Sequence, residues 1–364
     1  MKKVQFEIEH IDPLGQGVSK KGDKVTFIPK TLPGETGVAT IVRSRKGVQF
    51  AELTQLDSAS AKRIEAECPH YDQCNGCHFL HTSYPYELEL KQKNLEFLFK
   101  NWQYGELHSH PGPTRMGYRN RIQLHFNKAR KQFGFMLTGG KEILAVPDCL
   151  LPAPQLKAAI KQYTGQDHWL DSLPDPVGHV EFYQKDQEIL ISCNKPYAEG
   201  GFSQVNPAMN QLLAGLLQNL AHTLNPGAKI LDLFGGVGNL SSNFQKQERL
   251  IVDYYPGTAP KETSGGQFLK LDLYRPEALN ELTSRGIGHF DCLIVDPPRS
   301  GFKQLGDFLK EFSPELLIYV SCNPATLKRD LDQIKNDYQL SNLHLLDFFP
   351  GTFHFETLAI LKKL

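Results

Sequence analysis

Through residues 1 to about 57, apolar and polar positions alternate in short runs. VQFEIEHI comes first, and VTFIP and GVATIV follow, broken by LGQG, KKGD and LPGETG. Alternation turns one face of a strand inward, and the glycine-rich breaks mark turns. Strands this short in so small a segment predict a five-stranded β-barrel. The pattern then lengthens. TSYPYELELKQKNLEFLFKNW spaces Leu88, Leu95 and Leu98 as a helix does, which predicts a helix over about 84–101. Strand patterns return in RIQLHF, FGFML and EILAV, between Tyr118 and about Pro147, and again in EILISC. Residues 163–187 hold Gly, Asp and Pro with weak periodicity, as a connection would.

From Phe202 the pattern changes once more. AMNQLLAGLLQNLAHTL reads as an amphipathic helix. The apolar runs KILDLFGG, RLIVDYY, FDCLIVDPP, LLIYVSCN and LAILKKL then alternate with helical stretches such as EALNELTSRG and FKQLGDFLKEF. Buried runs alternating with helices imply a mostly parallel, doubly wound sheet. The expected organisation is thus a β-barrel over 1–57, a central β-rich domain over 58–200 and an α/β domain over 201–364. At 364 residues the chain has ample length for this.

Composition narrows the class. No run reaches the ~18 apolar residues a membrane span needs, and no apolar segment follows Met1-Lys2-Lys3, so neither a span nor a secretory signal is expected. Seven cysteines, three of them within ten residues, point to a reducing, cytoplasmic setting with a metal or catalytic use for thiols. Lys plus Arg and Asp plus Glu both number 40, so a nucleic-acid partner requires a local basic patch. One candidate runs from His110 to Lys131: Arg115, Arg119, Arg121, Lys128, Arg130 and Lys131, with Tyr118 and Phe126 interleaved and no acid. Such a stretch suits phosphate contacts and base stacking, or equally one solvated strand face.

Four stretches carry candidate chemistry. In ILDLFGGVGNLS an apolar run ends in Asp232 and a glycine turn, of the Asp-x-Phe-x-Gly-x-Gly form found where Rossmann-like methyltransferases hold S-adenosylmethionine. Asp253, ending the next run, suits ribose hydroxyls. LIVDPPRSG delivers Asp296 to the same edge, with Arg299 where amine-methylating enzymes place an aromatic. In LIYVSCNPATLKRD a strand ends on Cys322 just before a helix, a position expected to lower the thiol pKa. A thiolate that adds to uracil C6 makes C5 enolate-like and able to attack an electrophilic methyl; Glu356, opening the last strand, is available to remove the C5 proton. Cys68, Cys74 and Cys77, spaced Cys-x5-Cys-x2-Cys, with Cys149 as the best fourth ligand, suit zinc or an iron–sulfur cluster, which spacing does not separate. Cys193 and Cys292 lie within strand patterns and read as core.

Together these stretches resemble the RNA 5-methyluridine (uracil-C5) methyltransferase family. LGQGV, FIPKTLPGE and the closing AEL look like its TRAM RNA-binding barrel. GYRNRIQL, GGFSQVNPAMN, DLFGGVGNL, DPPRSG, YVSCNPATLKRD and DFFPGTFHFE follow in family order. The resemblance implies Cys322 as nucleophile and Glu356 as base. It implies S-adenosyl-L-methionine contacts at Gln204, Phe234, Asn239, Asp253, Asp272 and Asp296, and a [4Fe–4S] cluster on Cys68, Cys74, Cys77 and Cys149. A barrel with a cluster resembles the branch acting on 23S ribosomal RNA, while related members methylate the T-loop uridine of tRNA. A non-catalytic RNA-binding protein is the remaining alternative. No obligate protein partner is evident. The sequence departs from the family after Asp253: YYPGTAPKETSGGQ is short and rich in Gly, Pro and Thr where a long helix is usual, and Asp253 and Asp272 replace the usual Glu and Asn. That departure implies a more open ribose and adenine side.

Overall fold

In the computed structural model, residues 2–137, 140, 142–185, 187–196, 204–254, 266–285 and 288–364 are described. The chain divides into two compact units. One comprises Met1–Asn94, Gly112–Pro207 and Phe349–Phe353; the other comprises Leu95–Pro111, Ala208–Phe348 and His354–Leu364.

The first unit opens with strands β1 (Lys3–Glu7), β2 (His10–Ile11), β3 (Gln16–Ser19), β4 (Val25–Pro29), β5 (Thr36–Arg45) and β6 (Val48–Ser58), in the order β1-β5-β6-β4-β3-β2. The five strands expected are six, because the break at Asp12–Gly15 isolates a two-residue strand before it. Phe6, Ile8, Ile28, Leu32, Ala39 and Ala51 form the core between them. The FIPKTLPGE stretch is a turn fastened by Glu35, whose buried carboxylate accepts from Leu32 N and from Arg63 Nε and Nη2. Helix α1 (Tyr84–Phe99) follows, passing through the division after Asn94, and leads to β7 (Tyr104–His110).

A second sheet in this unit has the order β10-β9-β8-β11-β12. It is built from β8 (Arg121–Asn127), β9 (Gln132–Met136), β10 (Ile143–Leu144), β11 (Val177–Lys185) and β12 (Glu188–Cys193). Helix α2 (Pro154–Thr164) seats Leu156 on Ile122, Leu124, Val180 and Phe182. Cys193 packs at the edge of this core. Residues 349–353, brought in from near the C-terminus, are pinned here. Gly351 O accepts from His78 N (2.7 Å) and Phe79 N (3.1 Å), and Gly351 N donates to Glu87 Oε1 at 2.7 Å.

The second unit is an eight-stranded sheet of order β15-β14-β13-β16-β17-β19-β18-β7. After α3 (Pro207–Ala221) its strands are β13 (Lys229–Leu233), β14 (Glu248–Asp253), β15 (Gly266–Lys270), β16 (Cys292–Val295), β17 (Leu316–Ser321), β18 (Tyr338–Leu346) and β19 (Glu356–Lys363). Helices α4 (Ala278–Ser284), α5 (Leu305–Phe312) and α6 (Pro324–Asp332) lie between them in sequence. Five neighbouring strands, β15 to β17, run parallel, and every residue of β16 and β17 is buried, as continuous apolar runs require. β19 reverses direction against β17 and β18. β7, β15 and β18 are absent from the apolar-run reading. YGELHSH is an edge strand with polar residues on both faces, so its pattern carries no apolar alternation.

Candidate active site and a thiol-lined cavity

Parallel registry sets the carboxyl ends of β13, β14, β16 and β17 along one edge. Leu233 pairs with Val252 and with Val295, and Val295 pairs with Tyr319. The residues just beyond therefore share that edge: Phe234 after β13, Asp296 after β16 and Cys322 after β17, with Asp253 closing β14. This is the crevice where open α/β sheets bind ligands. β19 adds the last member. It pairs antiparallel with β17 through Ser321 opposite Thr357, so the next positions outward are Cys322 and Glu356.

The glycine turn is fixed from both sides. Phe234 N donates to Val252 O at 2.9 Å, and Asp253 Oδ2 accepts from Gly236 N at 2.7 Å. Phe234 itself stands at φ 59°, a left-handed conformation that costs a non-glycine residue on the order of 1 kcal/mol or more. Its ring is braced by Tyr274 and Phe302, at 5.3 and 5.1 Å between centroids. At Gly235 a side chain would strike the Asp232 carboxyl at 2.7 Å, whereas beside Gly236 the space is open. The turn thus packs down on Asp232 and leaves its outer face free. Asn239 exchanges amide hydrogen bonds with Asn210 (3.1 and 3.5 Å), and Asp272 Oδ1 accepts from Tyr274 N at 3.0 Å.

Electrostatically the edge is acidic and short of cations. Burial lifts the Asp232 carboxyl to about 7, against the opposing pull of Ser241 and of the Arg249 charge. Burial lifts Asp296 to about 7 as well, helped by Asp232 and Asp253. Burial and the Asp296 charge hold Glu356 well above the usual carboxylate range, with Arg299 opposing. The Cys322 thiol is pushed up to about 11, first by burial, then by Glu356 and Asp296, again against Arg299. This corrects the expectation of a lowered thiol. The residue does precede a helix, with Asn323 as N-cap accepting from Ala325 N at 3.2 Å and Pro324 opening α6. Burial, with two carboxyl groups added, outweighs that short helix.

The cysteines of the first unit come together elsewhere. Cys68, Cys74, Cys77 and Cys149 line one cavity of about 80 Å³, along with Tyr71, Met116, Arg119 and Phe135. Burial pushes the Cys77 thiol up to about 12, reinforced by Cys149 and Cys74 and opposed by Arg119. Cys149 is raised by burial too. Lys30, in a left-handed conformation, clasps the carbonyls of Tyr71, Asp72 and Cys74, which ties the loop to the end of β4. Among the described residues no three His, Cys, Asp or Glu side chains stand close enough to hold a single metal ion. A four-iron cluster keeps its thiolates farther apart than one ion does.

Much of the basic stretch from His110 to Lys131 is tied up by other groups, while Arg130 and Lys131 at its end are exposed. Arg115 binds Glu87 and the carbonyls of Phe79 and Thr82. Arg121 pairs with Glu181, both nearly fully buried. Lys128 caps the carbonyls of Asp171 and Leu173. Tyr118 and Phe126 are buried and closed to bases. The partners lie 28 to 60 residues away for the two glutamates, so local composition hid them. Gln204 belongs to the first unit, where its carbonyl accepts from Asn120 Nδ2. Gly200, Gly201, Phe202 and Ser203 of the stretch before it, and residues 255–265 of the loop after Asp253, fall outside the described residues.

Residues 279–364 match the model of the family described as tRNA (uracil-5-)-methyltransferase. The 23S rRNA (uracil(1939)-C(5))-methyltransferase RlmD of Shewanella sp. (strain ANA-3) is 28% identical, over 99% of this chain and 96% of its own length. Its counterpart from Vibrio parahaemolyticus is also 28% identical, over 98% and 95%. Among solved structures, Pyrococcus abyssi tRNA (uracil-54, C5)-methyltransferase in complex with S-adenosyl-L-homocysteine superposes with a TM-score of 0.74, covering 98% of this chain and all of that one. At 20% identity that likeness shows a shared fold.

Proposed function

We propose that the chain, similar over nearly its full length to enzymes named as 23S rRNA uracil-C5 methyltransferases and matched over residues 279–364 by the tRNA (uracil-5-)-methyltransferase family model, is an RNA uracil-C5 methyltransferase that methylates C5 of a uridine in 23S ribosomal RNA through a covalent bond to Cys322. The observation that supports the mechanism is the antiparallel pairing of β17 with β19, which makes Cys322 and Glu356 the next facing positions beyond Ser321 and Thr357.

S-adenosyl-L-methionine, when bound, supplies an electrophilic methyl on a positively charged sulfur. The glycine turn, with its open outer face at Gly236 and Asp253 bonded to it, would offer its seat, with Phe234, Asn239, Asp253 and Asp272 as the side chains the resemblance assigns to it. The fit is electrostatic as well: Asp296 is a buried carboxyl whose charged neighbours are the carboxyls of Asp232 and Asp253, and a cation-bearing ligand would offset that charge. Gln204 is assigned to the same pocket by resemblance alone.

In the reaction the Cys322 sulfur, having given its proton to solvent, bonds to C6 and the C5=C6 electron pair moves to C5, which takes the methyl group as the methyl–sulfur bond breaks and S-adenosyl-L-homocysteine leaves. The Glu356 carboxylate then removes the C5 proton. That electron pair restores C5=C6, the C6–S bond breaks and the thiolate leaves. A carboxyl whose proton affinity is raised by burial is a stronger base once ionised, as this step needs. Arg299 is the nearby cation that opposes the rise at both Cys322 and Glu356, so it favours the thiolate and the carboxylate. The target base reaches Cys322 only outside its stack.

In the first unit, the four thiols around one cavity, with Arg119 in its wall, suit a [4Fe–4S] cluster. There the cluster would brace the loop of Cys68 to Cys77 with no electron transfer in the methylation. The N-terminal sheet over 1–57 is the expected TRAM-like RNA-binding element, and the likeness over nearly full length to enzymes named for 23S rRNA favours that substrate over tRNA. Incubation of anaerobically purified protein with methyl-labelled S-adenosyl-L-methionine and separate pools of unmodified 23S rRNA and tRNA tests this. Labelled 5-methyluridine from the rRNA digest is expected. Label only in tRNA would move the substrate, and label in a different nucleoside would remove the mechanism.

A further inference from the structure

Among the arginines at 115, 119 and 121, one stands apart. Arg115 has Glu87 and Arg121 has Glu181. Among the described residues no carboxylate pairs with Arg119, and its Nε is buried with no hydrogen-bond partner. The side chain is nonetheless held in place. Arg119 N donates to Leu151 O (2.9 Å) and its carbonyl accepts from Ala153 N (2.8 Å), which clamps the backbone to the segment just after Cys149. The guanidinium lies 5.8 Å from the Tyr118 ring centre and 6.0 Å from that of Phe349. It forms part of the wall of the cavity that Cys68, Cys74, Cys77 and Cys149 line.

A guanidinium with a buried, unused N–H and no counter-anion is costly unless an anion completes it. The cavity beside it is where four thiolates would gather. A [4Fe–4S] centre on four thiolates is itself an anion whose sulfurs accept N–H hydrogen bonds, and such bonds and nearby charge set its potential. We propose that Arg119 is the positioning and charge-compensating residue of this centre: it donates Nε–H to a sulfur of the cluster or its ligands, slows loss of iron and raises the reduction potential. The proposal rests on the four-cysteine reading above and concerns what surrounds the ligands. Reduction adds negative charge, which a fixed neighbouring cation favours, so removing that cation makes the centre harder to reduce.

The test uses the full-length protein purified without oxygen, as wild type, Arg119→Gln and Arg119→Lys. Iron per chain, release of iron to a chelator and the midpoint potential are read directly, independent of methyl transfer. Arg119→Gln is expected to release iron about 10-fold faster or more, the range for loss of an outer-shell partner, and to shift the midpoint negative. Arg119→Lys keeps the charge without the planar donor, so its potential stays near wild type while its release rate falls between the two. If Gln at this position prevents folding, the lysine variant carries the test through its release rate. Full iron, wild-type release and an unmoved potential in the variants overturn the role of Arg119. Wild type without iron overturns the four-cysteine reading and this proposal with it, while iron bound in wild type and unaffected in the variants overturns this proposal alone.

Discussion

Both units hold thiols raised by burial, but their neighbours differ. In the first unit, Cys77 is surrounded by other thiols and faced by Arg119. In the second, Cys322 is faced by two carboxyl groups and Arg299. A thiol cluster of this kind gains from a multivalent cationic centre that takes all four sulfurs as thiolates. A single thiol among carboxyls gains from one diffusible cation and from losing a proton only when substrate is present. On the proposed reading, the same raised affinity for protons would serve cluster retention in one place and restraint in the other, with a resting Cys322 expected to stay largely un-ionised at neutral pH.

The comparison is sharpest when each thiol is removed. Cys322→Ala is expected to lower methyl transfer about 10⁴-fold or more, the scale for loss of a covalent nucleophile, with iron content unchanged. Retained turnover would place the chemistry elsewhere. Glu356→Gln is expected to lower turnover about 10²- to 10⁴-fold by stalling elimination. On the other side, Cys149→Ser is expected to cost iron retention about 10- to 100-fold and to leave the Cys322 environment intact, as read by alkylation of the Cys322 peptide. Equal iron in that variant would break the four-cysteine assignment.

The pH dependence of the two regions is a finer probe. In ligand-free protein the Cys322 peptide should be alkylated with a midpoint near pH 11, above the ordinary 9, and Glu356→Gln should lower that midpoint. A midpoint below 9 would restore the helix as the dominant influence. The smallest effect concerns Asp232. Its carboxyl keeps a proton to about pH 7 when folded but only to about 3.8 when unfolded. The folded state therefore binds more protons between those values. The stability contributed is full below the unfolded value and is lost as pH rises through 7, at most about 1.4 kcal/mol per pH unit. Urea unfolding at pH 5 and pH 8 should show this loss in wild type but not in Asp232→Asn; parallel behaviour would remove Asp232 as its source.

Much of the site was legible in the sequence because its parts are local. The glycine turn after Asp232, the Pro-Pro after Asp296 and the Asn-Pro after Cys322 each announce a strand end within a few residues. The α/β alternation was legible for the same reason: buried parallel strands are unbroken apolar runs. Long-range pairing was not. Nothing near Glu356 says that β19 runs antiparallel beside β17, and nothing near Cys322 announces that burial and two carboxyls outweigh a short helix. The basic stretch misled for that reason too, since Glu87 and Glu181 satisfy its arginines from far along the chain. β7 escaped notice because a polar edge strand rich in histidine lacks an apolar face.

The most direct test of the adjacent nucleophile and base uses Glu356→Gln protein with methyl-labelled S-adenosyl-L-methionine and unmodified 23S rRNA, resolved under denaturing conditions. The account predicts a labelled protein–RNA adduct linked through Cys322 and absent from the Cys322→Ala, Glu356→Gln double variant. Free labelled 5-methyluridine from that double variant, or an adduct on another residue, would contradict it.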